Sequence, residues 1–220
     1  MENFSDTNLN IEAEFFFQQG LRQNQAQKYL AAIALFDQAL KYQPDYAQAW
    51  SERGIALGKL GYHEEAVTDF DKALTIQPNA CWIWHNRGIA LGKLSQYIAA
   101  VESFDHAIEC NPKLSTFWHN RGITLIKLCC YKQAVKSFDR SLELEPDSYW
   151  AWYNRGKALL QLQRHIEALN SFDRAIEFKP DFYHAWHNRG IALSNLCCYE
   201  KAVKSFNKAK EIYPDKKKAW

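Results

Sequence analysis

An all-α stack of helix pairs is the fold class this sequence predicts, and three observations predict it. The stretch Trp84-His85-Asn86-Arg87-Gly88 returns at 118–122, 152–156 and 186–190, with a looser copy at 50–54, always at a step of 34 residues. Pro44, Pro78, Pro112, Pro146, Pro180 and Pro214 keep the same step with no insertion or deletion. Between these markers the apolar residues recur at helical spacing. A fixed period of this size marks a linear array, in which one supersecondary unit is copied and each copy buries its apolar face on its neighbours.

With Trp in the fourth position and Pro in the thirty-second, the repeats are 13–46, 47–80, 81–114, 115–148, 149–182 and 183–216. Residues 1–12 are expected to form a flexible leader, and 217–220 to begin a truncated seventh repeat. In 47–80, Trp50, Leu57 and Leu60 mark a first helix. After the break at Gly61-Tyr62, Ala66, Phe70, Ala73, Leu74 and Ile76 mark a second. Pro78 ends that helix, and the polar residue after most of the prolines, Asp45, Asn79, Asp147 and Asp181, is expected to cap the next. Helices of roughly 13 residues are marginal alone in water, so the stack must stabilise them.

Every repeat keeps a glycine inside its first helix (Gly20, Gly54, Gly88, Gly122, Gly156, Gly190), although glycine there costs about 1 kcal/mol relative to alanine. A bulky neighbour must need the room, and Phe36, Phe70, Phe104, Phe138, Phe172 and Phe206 supply it. Alanine is kept at 32, 66, 100, 134, 168 and 202. This set of Trp, Gly, Ala, Phe, Ala and Pro at positions 4, 8, 20, 24, 27 and 32 resembles the tetratricopeptide repeat across 13–216. The resemblance implies a right-handed superhelical solenoid of antiparallel helix pairs, with the first helices lining a concave groove. The chain departs from the family pattern at position 11, where Leu or Gln replaces a common Tyr, and at position 7, where Arg replaces a common Leu.

Arg53, Arg87, Arg121, Arg155 and Arg189 fill that seventh position, which faces the packed side, so each guanidinium needs a partner. Asp37, Asp71, Asp105, Asp139 and Asp173 offer one. The first repeat has the Asp and no Arg, and the last has the Arg but Asn207 in place of the Asp, so each Arg matches the Asp of the preceding repeat. An inter-repeat ladder that sets register follows.

Lys plus Arg number 27 against 25 Asp plus Glu, which leaves no overall field to gather nucleic acid or a membrane surface. No stretch approaches a membrane span, and no secretory signal is recognised, so a soluble, cytoplasmic protein with reduced thiols is expected. Cys129-Cys130 and Cys197-Cys198 fall in turns and are read as ordinary thiols. No phosphate loop, zinc-protease motif or nucleophile elbow is present, so neither an enzyme nor a cofactor is expected. His85, His119 and His187 recur one per repeat, about 10 Å or more apart, too far to share a metal.

The candidate site is a peptide-binding groove. Asn86, Asn120, Asn154 and Asn188 occupy the position that points into the groove in the family, and an amide carries both a donor and an acceptor for a peptide backbone. This is similar to the asparagine ladder of the O-GlcNAc transferase repeats. Around it fall Trp82, Trp150, His85, His119, Tyr153, His187, Lys59, Lys93 and Lys127. The partner expected is another protein presenting an extended segment with apolar and acidic residues; no membrane partner is expected. The chaperone-type clamp is absent, because Ser, His or Tyr stands where its lysine would be. A regulatory or assembly arm of a larger enzyme is the alternative, and single-stranded RNA binding a third. If the last apolar face is bare, self-association through the C-terminal end follows.

Overall fold

The computed structural model describes residues 4–213, with side chains from Asn10 onward. Among these there are twelve helices and no strand: α1 (Phe4–Gln25), α2 (Tyr29–Tyr42), α3 (Ala47–Leu60), α4 (His63–Ile76), α5 (Cys81–Lys93), α6 (Tyr97–Cys110), α7 (Ser115–Lys127), α8 (Tyr131–Leu144), α9 (Tyr149–Gln161), α10 (His165–Phe178), α11 (Tyr183–Asn195) and α12 (Tyr199–Ile212). They fall into two compact units, Met1–Pro112 and Lys113–Trp220. Each unit is an all-α helical repeat stack. Within each, every helix packs on the next, and first helices also touch one another (α1, α3 and α5 in one unit; α7, α9 and α11 in the other). Second helices make no such contacts with each other. The stack in each unit therefore curves with the first helices on its inner side.

Of residues 1–12, read as a flexible leader, those from Phe4 onward belong to α1, which runs on without a break into residues that are docked, and residues 1–3 lie outside the described residues. Phe16 stacks on Tyr42 at 5.6 Å and Phe17 lies 4.8 Å from Tyr46. Once that half is anchored, extending the helix backward costs little compared with nucleating it. Residues 217–220, read as the start of a seventh repeat, lie outside the described residues.

The caps also differ. The residue after Pro does not cap the next helix; it sits inside a β-turn. Tyr46 N–H donates to the Gln43 carbonyl at 3.2 Å, with Pro44 and Asp45 between, and the same turn closes at Ala80, Ser148 and Phe182. Proline sets φ for the first central position of such a turn and Asp or Asn suits it. The N-caps are thus Tyr46, Ala80, Ser148 and Phe182, none of which makes a side-chain cap bond.

Between the two helices of a pair the chain turns through a left-handed residue. Gly61 takes it at φ 89°, and Gln27, Ser95, Cys129, Gln163 and Cys197 take it at φ 58–61°. The N–H of the residue after the left-handed one then reaches back to the last turn of the helix, as from Tyr62 to Leu57 O (3.0 Å) and Cys130 to Leu125 O (2.9 Å).

What closes each pair is the phenylalanine. A Cβ on Gly20, Gly54, Gly88, Gly122, Gly156 or Gly190 would come within 2.5–2.9 Å of the Phe ring sixteen residues on. Phe36, Phe70, Phe104, Phe138 and Phe172 are 0–2 % exposed, so the rings have nowhere to retreat. Gly92, by contrast, has nothing within 4 Å of its missing Cβ. Gly122→Ala is therefore expected to cost about 1–3 kcal/mol by overpacking, whereas Gly92→Ala should gain about 0.5–1 kcal/mol from helix propensity. Urea unfolding midpoints of the two variants against the parent check both signs.

Candidate functional site

Two of the repeat markers are bonded to each other. The indole N–H of Trp50, Trp84, Trp152 and Trp186 donates to the carbonyl of Pro44, Pro78, Pro146 and Pro180, each at 2.8 Å. The Trp ring carries the arginine of its own helix over its face, at 4.6 Å for Arg53 and 5.7–5.8 Å for Arg87, Arg155 and Arg189.

Each of these arginines reaches in two directions. Arg87, Arg155 and Arg189 donate through Nε at 2.6 Å to Asp71, Asp139 and Asp173 of the preceding repeat. Through a terminal nitrogen they donate at 2.7–2.8 Å to Ser103, Ser171 and Ser205 of their own repeat, and Arg121 does the same to Ser137. Those serines then donate to a carbonyl one turn back, as Ser103 does to Ala99 at 2.8 Å. Arg53 differs. It bonds Asp37 and also grips Asp69 with two 2.7 Å bonds, and Asp69 is 2 % exposed. The own-repeat partner was not found by sequence reasoning; its signal is the run Asp69, Ser103, Ser137, Ser171, Ser205 at the repeat step.

Removing one side of a buried ion pair leaves an uncompensated charge, so Arg53→Met is expected to cost about 3–5 kcal/mol. Arg87→Met should cost about 1–2 kcal/mol, since Asp71 is half-exposed and Ser103 keeps its bond to Ala99. Adding Asp69→Leu to the first variant should restore most of its stability, again read from urea unfolding.

The other candidates lie on the first helices. Asn86, Asn120, Asn154 and Asn188 are all half-buried, and Asn188 gives one N–H to the His184 carbonyl at 2.8 Å. Trp82 and Trp150 are exposed, at 52 % and 44 %. Lys59, Lys93 and Lys127 are exposed, while His119 and His187 are half-buried. Two expectations need correction. His85 and Tyr153, read as groove-wall residues, are buried at 5 % and 9 %, because their rings pack on Phe104 (5.7 Å) and Phe172 (6.2 Å). Tyr153 also joins Trp150 and Phe182 in an aromatic cluster with centroids 4.8–5.9 Å apart.

Sequence reasoning passed over Lys157, which lies 5.5 Å over the Tyr153 ring and whose pKa is lowered by burial and then by Lys127. It is the lysine in a position that holds Ile in four other repeats. Glu52, on the inner face of the first unit, has its pKa raised by burial, opposed by the Asn24 amide that donates to it at 3.1 Å.

Burial pushes the His85 pKa down to about 4, with the hydrogen bond to the Asn86 side chain opposing, and burial lowers His119 as well. The unfolded chain binds a proton near pH 6.5, before the folded one does, so stability is full above that pH and falls as pH drops towards 4. The expected loss from His85 is roughly 2–3 kcal/mol. His85→Phe, whose ring matches the Tyr153 that fills the equivalent place, should lose less stability between pH 7 and pH 4.5 than the parent, in unfolding curves at the two pH values.

Family models described as tetratricopeptide repeat match residues 17–80, 70–102, 115–148, 149–182 and 183–216. Among solved structures, YrrB, described as a TPR protein with an unusual peptide-binding site, is 25% identical with a TM-score of 0.73, over 82% of this chain and 93% of its own. MamA from Desulfovibrio magneticus RS-1 is 20% identical with a TM-score of 0.74, over 78% and 97%. Pseudomonas aeruginosa pilF is 18% identical with a TM-score of 0.77, over 94% and 95%. The last two are likenesses of fold. No curated protein sequence matches the chain.

Proposed function

Since the chain belongs to the tetratricopeptide repeat family and is built as a protein–protein interaction scaffold, we propose that it is a non-catalytic adaptor whose first helices hold an extended segment of another protein. The asparagines at 86, 120, 154 and 188 carry this reading, since a half-buried amide recurs at the same position of the first helix in four of the six repeats. An amide donates to a carbonyl and accepts from an N–H, so it holds a peptide backbone whatever its side chains. Within the second unit, packed helices place Asn120, Asn154 and Asn188 about 10 Å apart in succession, and an extended chain advances about 3.3 Å per residue, so one asparagine meets every third residue. Three of the four asparagines fall in the second unit, and Asn86 falls in the first.

Trp82 and Trp150 supply exposed anchors of the type enriched at binding hot spots. Lys59, Lys93 and Lys127 favour acidic residues in the bound segment. YrrB, at 25% identity, is described as having a peptide-binding site, which lends the reading support.

The quadruple variant Asn86→Ala, Asn120→Ala, Asn154→Ala, Asn188→Ala tests it. With the fold checked by circular dichroism, affinity capture from native lysate should recover at least tenfold less of a specific protein on the variant than on the parent. Equal recovery would make the asparagines structural.

A further inference from the structure

One cavity of the first unit is built differently from the rest of the inner face. It lies between α3, α4 and α5 and holds about 310 Å³. Ile55, Phe70 and Ile89 give it apolar walls, and Ile89 is 39 % exposed. Lys59 and Lys93 are the charged groups that line it, and none of its ten lining residues is acidic. His63 also lines it, and its buried Nδ1 has no hydrogen-bond partner among the described residues.

The space exists because of Gly58. The helix glycines at 54 and 88 are required by phenylalanine rings under 3 Å away, but a Cβ on Gly58 would meet only the Ala66 Cβ, at 4.0 Å. The same repeat position holds Gly92 in the first unit and Ile126, Leu160 and Ser194 in the second. A glycine kept inside a helix with no packing need gives up about 1 kcal/mol, and what it leaves here is room. For scale, a dry cavity of about 150 Å³ accepts benzene.

We propose that this cavity is the specificity pocket of the peptide face: it takes one large apolar side chain of the bound segment, and Lys59 and Lys93 pair with an Asp or Glu beside it. The pocket rests on the peptide-binding reading above and adds the residue pair that is selected. Apolar walls desolvate the ring or aliphatic side chain, and the two ammonium groups reject a basic neighbour.

The test uses a displayed library of random nine-residue peptides selected on the intact protein. Gly58→Leu fills the pocket without displacing backbone, and its unfolding midpoint should equal or exceed the parent's. The pair Lys59→Glu, Lys93→Glu reverses the charge on exposed side chains. Peptides selected on the parent should be enriched in an apolar–acidic pair and should bind Gly58→Leu at least tenfold more weakly by fluorescence anisotropy. The charge-reversed protein should select apolar–basic pairs instead. Peptides that lack the pair, bind Gly58→Leu unchanged and need the asparagines would overturn the pocket and leave the groove reading standing. Peptides indifferent to the asparagines, or no selected peptide at all, would overturn both.

Discussion

In every repeat a phenylalanine ring lies against a stretch of helix that has no side chain, and the rest of each repeat depends on that approach. The ring and the glycine are sixteen residues apart in sequence, and a methyl added to the glycine would lie 2.5–2.9 Å from the ring, a clash. Because protein interiors are close-packed, this contact admits one separation of the two helices and no other. The left-handed turn residue between the helices and the small alanines of the second helix then follow as the means of bringing them that near. Short helices with few caps hold together for the same reason. Their stability lies in docking, not in their own termini.

Joining one repeat to the next is a different problem, solved with polar groups. The tryptophan indole ties the start of a first helix to the proline that ends the preceding second helix, and the arginine below it spans both repeats. A guanidinium has five donors in a fixed fork, enough to serve a carboxylate on one side and a hydroxyl on the other. Where Ser103 or Ser171 accepts from it, no second carboxylate has to be buried, and the serine hydrogen is absorbed by a helix carbonyl. Asp69 is the exception, a buried carboxylate held by a bidentate pair. Such pairs add specificity of register more than net stability, because desolvation offsets most of the attraction.

With helix pairing and register handled by buried glycine, phenylalanine and arginine, the inner face of the first helices is free to vary. Asparagine recurs on these helices in four repeats, whereas another position differs along the chain, with Gly58 and Gly92 giving way to Ile126, Leu160 and Ser194, and Lys157 stands alone where four other repeats hold Ile. Repetition suits a backbone, which looks the same at each step, and variation suits side chains, which do not. The physical division between the two sets of positions underlies the proposed adaptor role.

The sequence by itself determined the all-α class, the repeat and its step, because period and helical spacing are local properties that survive in one dimension. The Phe–Gly approach was legible for the same reason: a glycine kept at a cost in every copy requires a neighbour. What only the tertiary structure decided was burial and partnership. His85 and Tyr153 share a repeat position with half-buried His119, and nothing in the sequence tells that these two rings lie down on Phe104 and Phe172. The serine that completes each arginine, the β-turn that takes the aspartate away from the helix cap and the hollow beside Gly58 are likewise three-dimensional facts. Each depends on which groups meet across helices, and that is fixed only when the helices have packed.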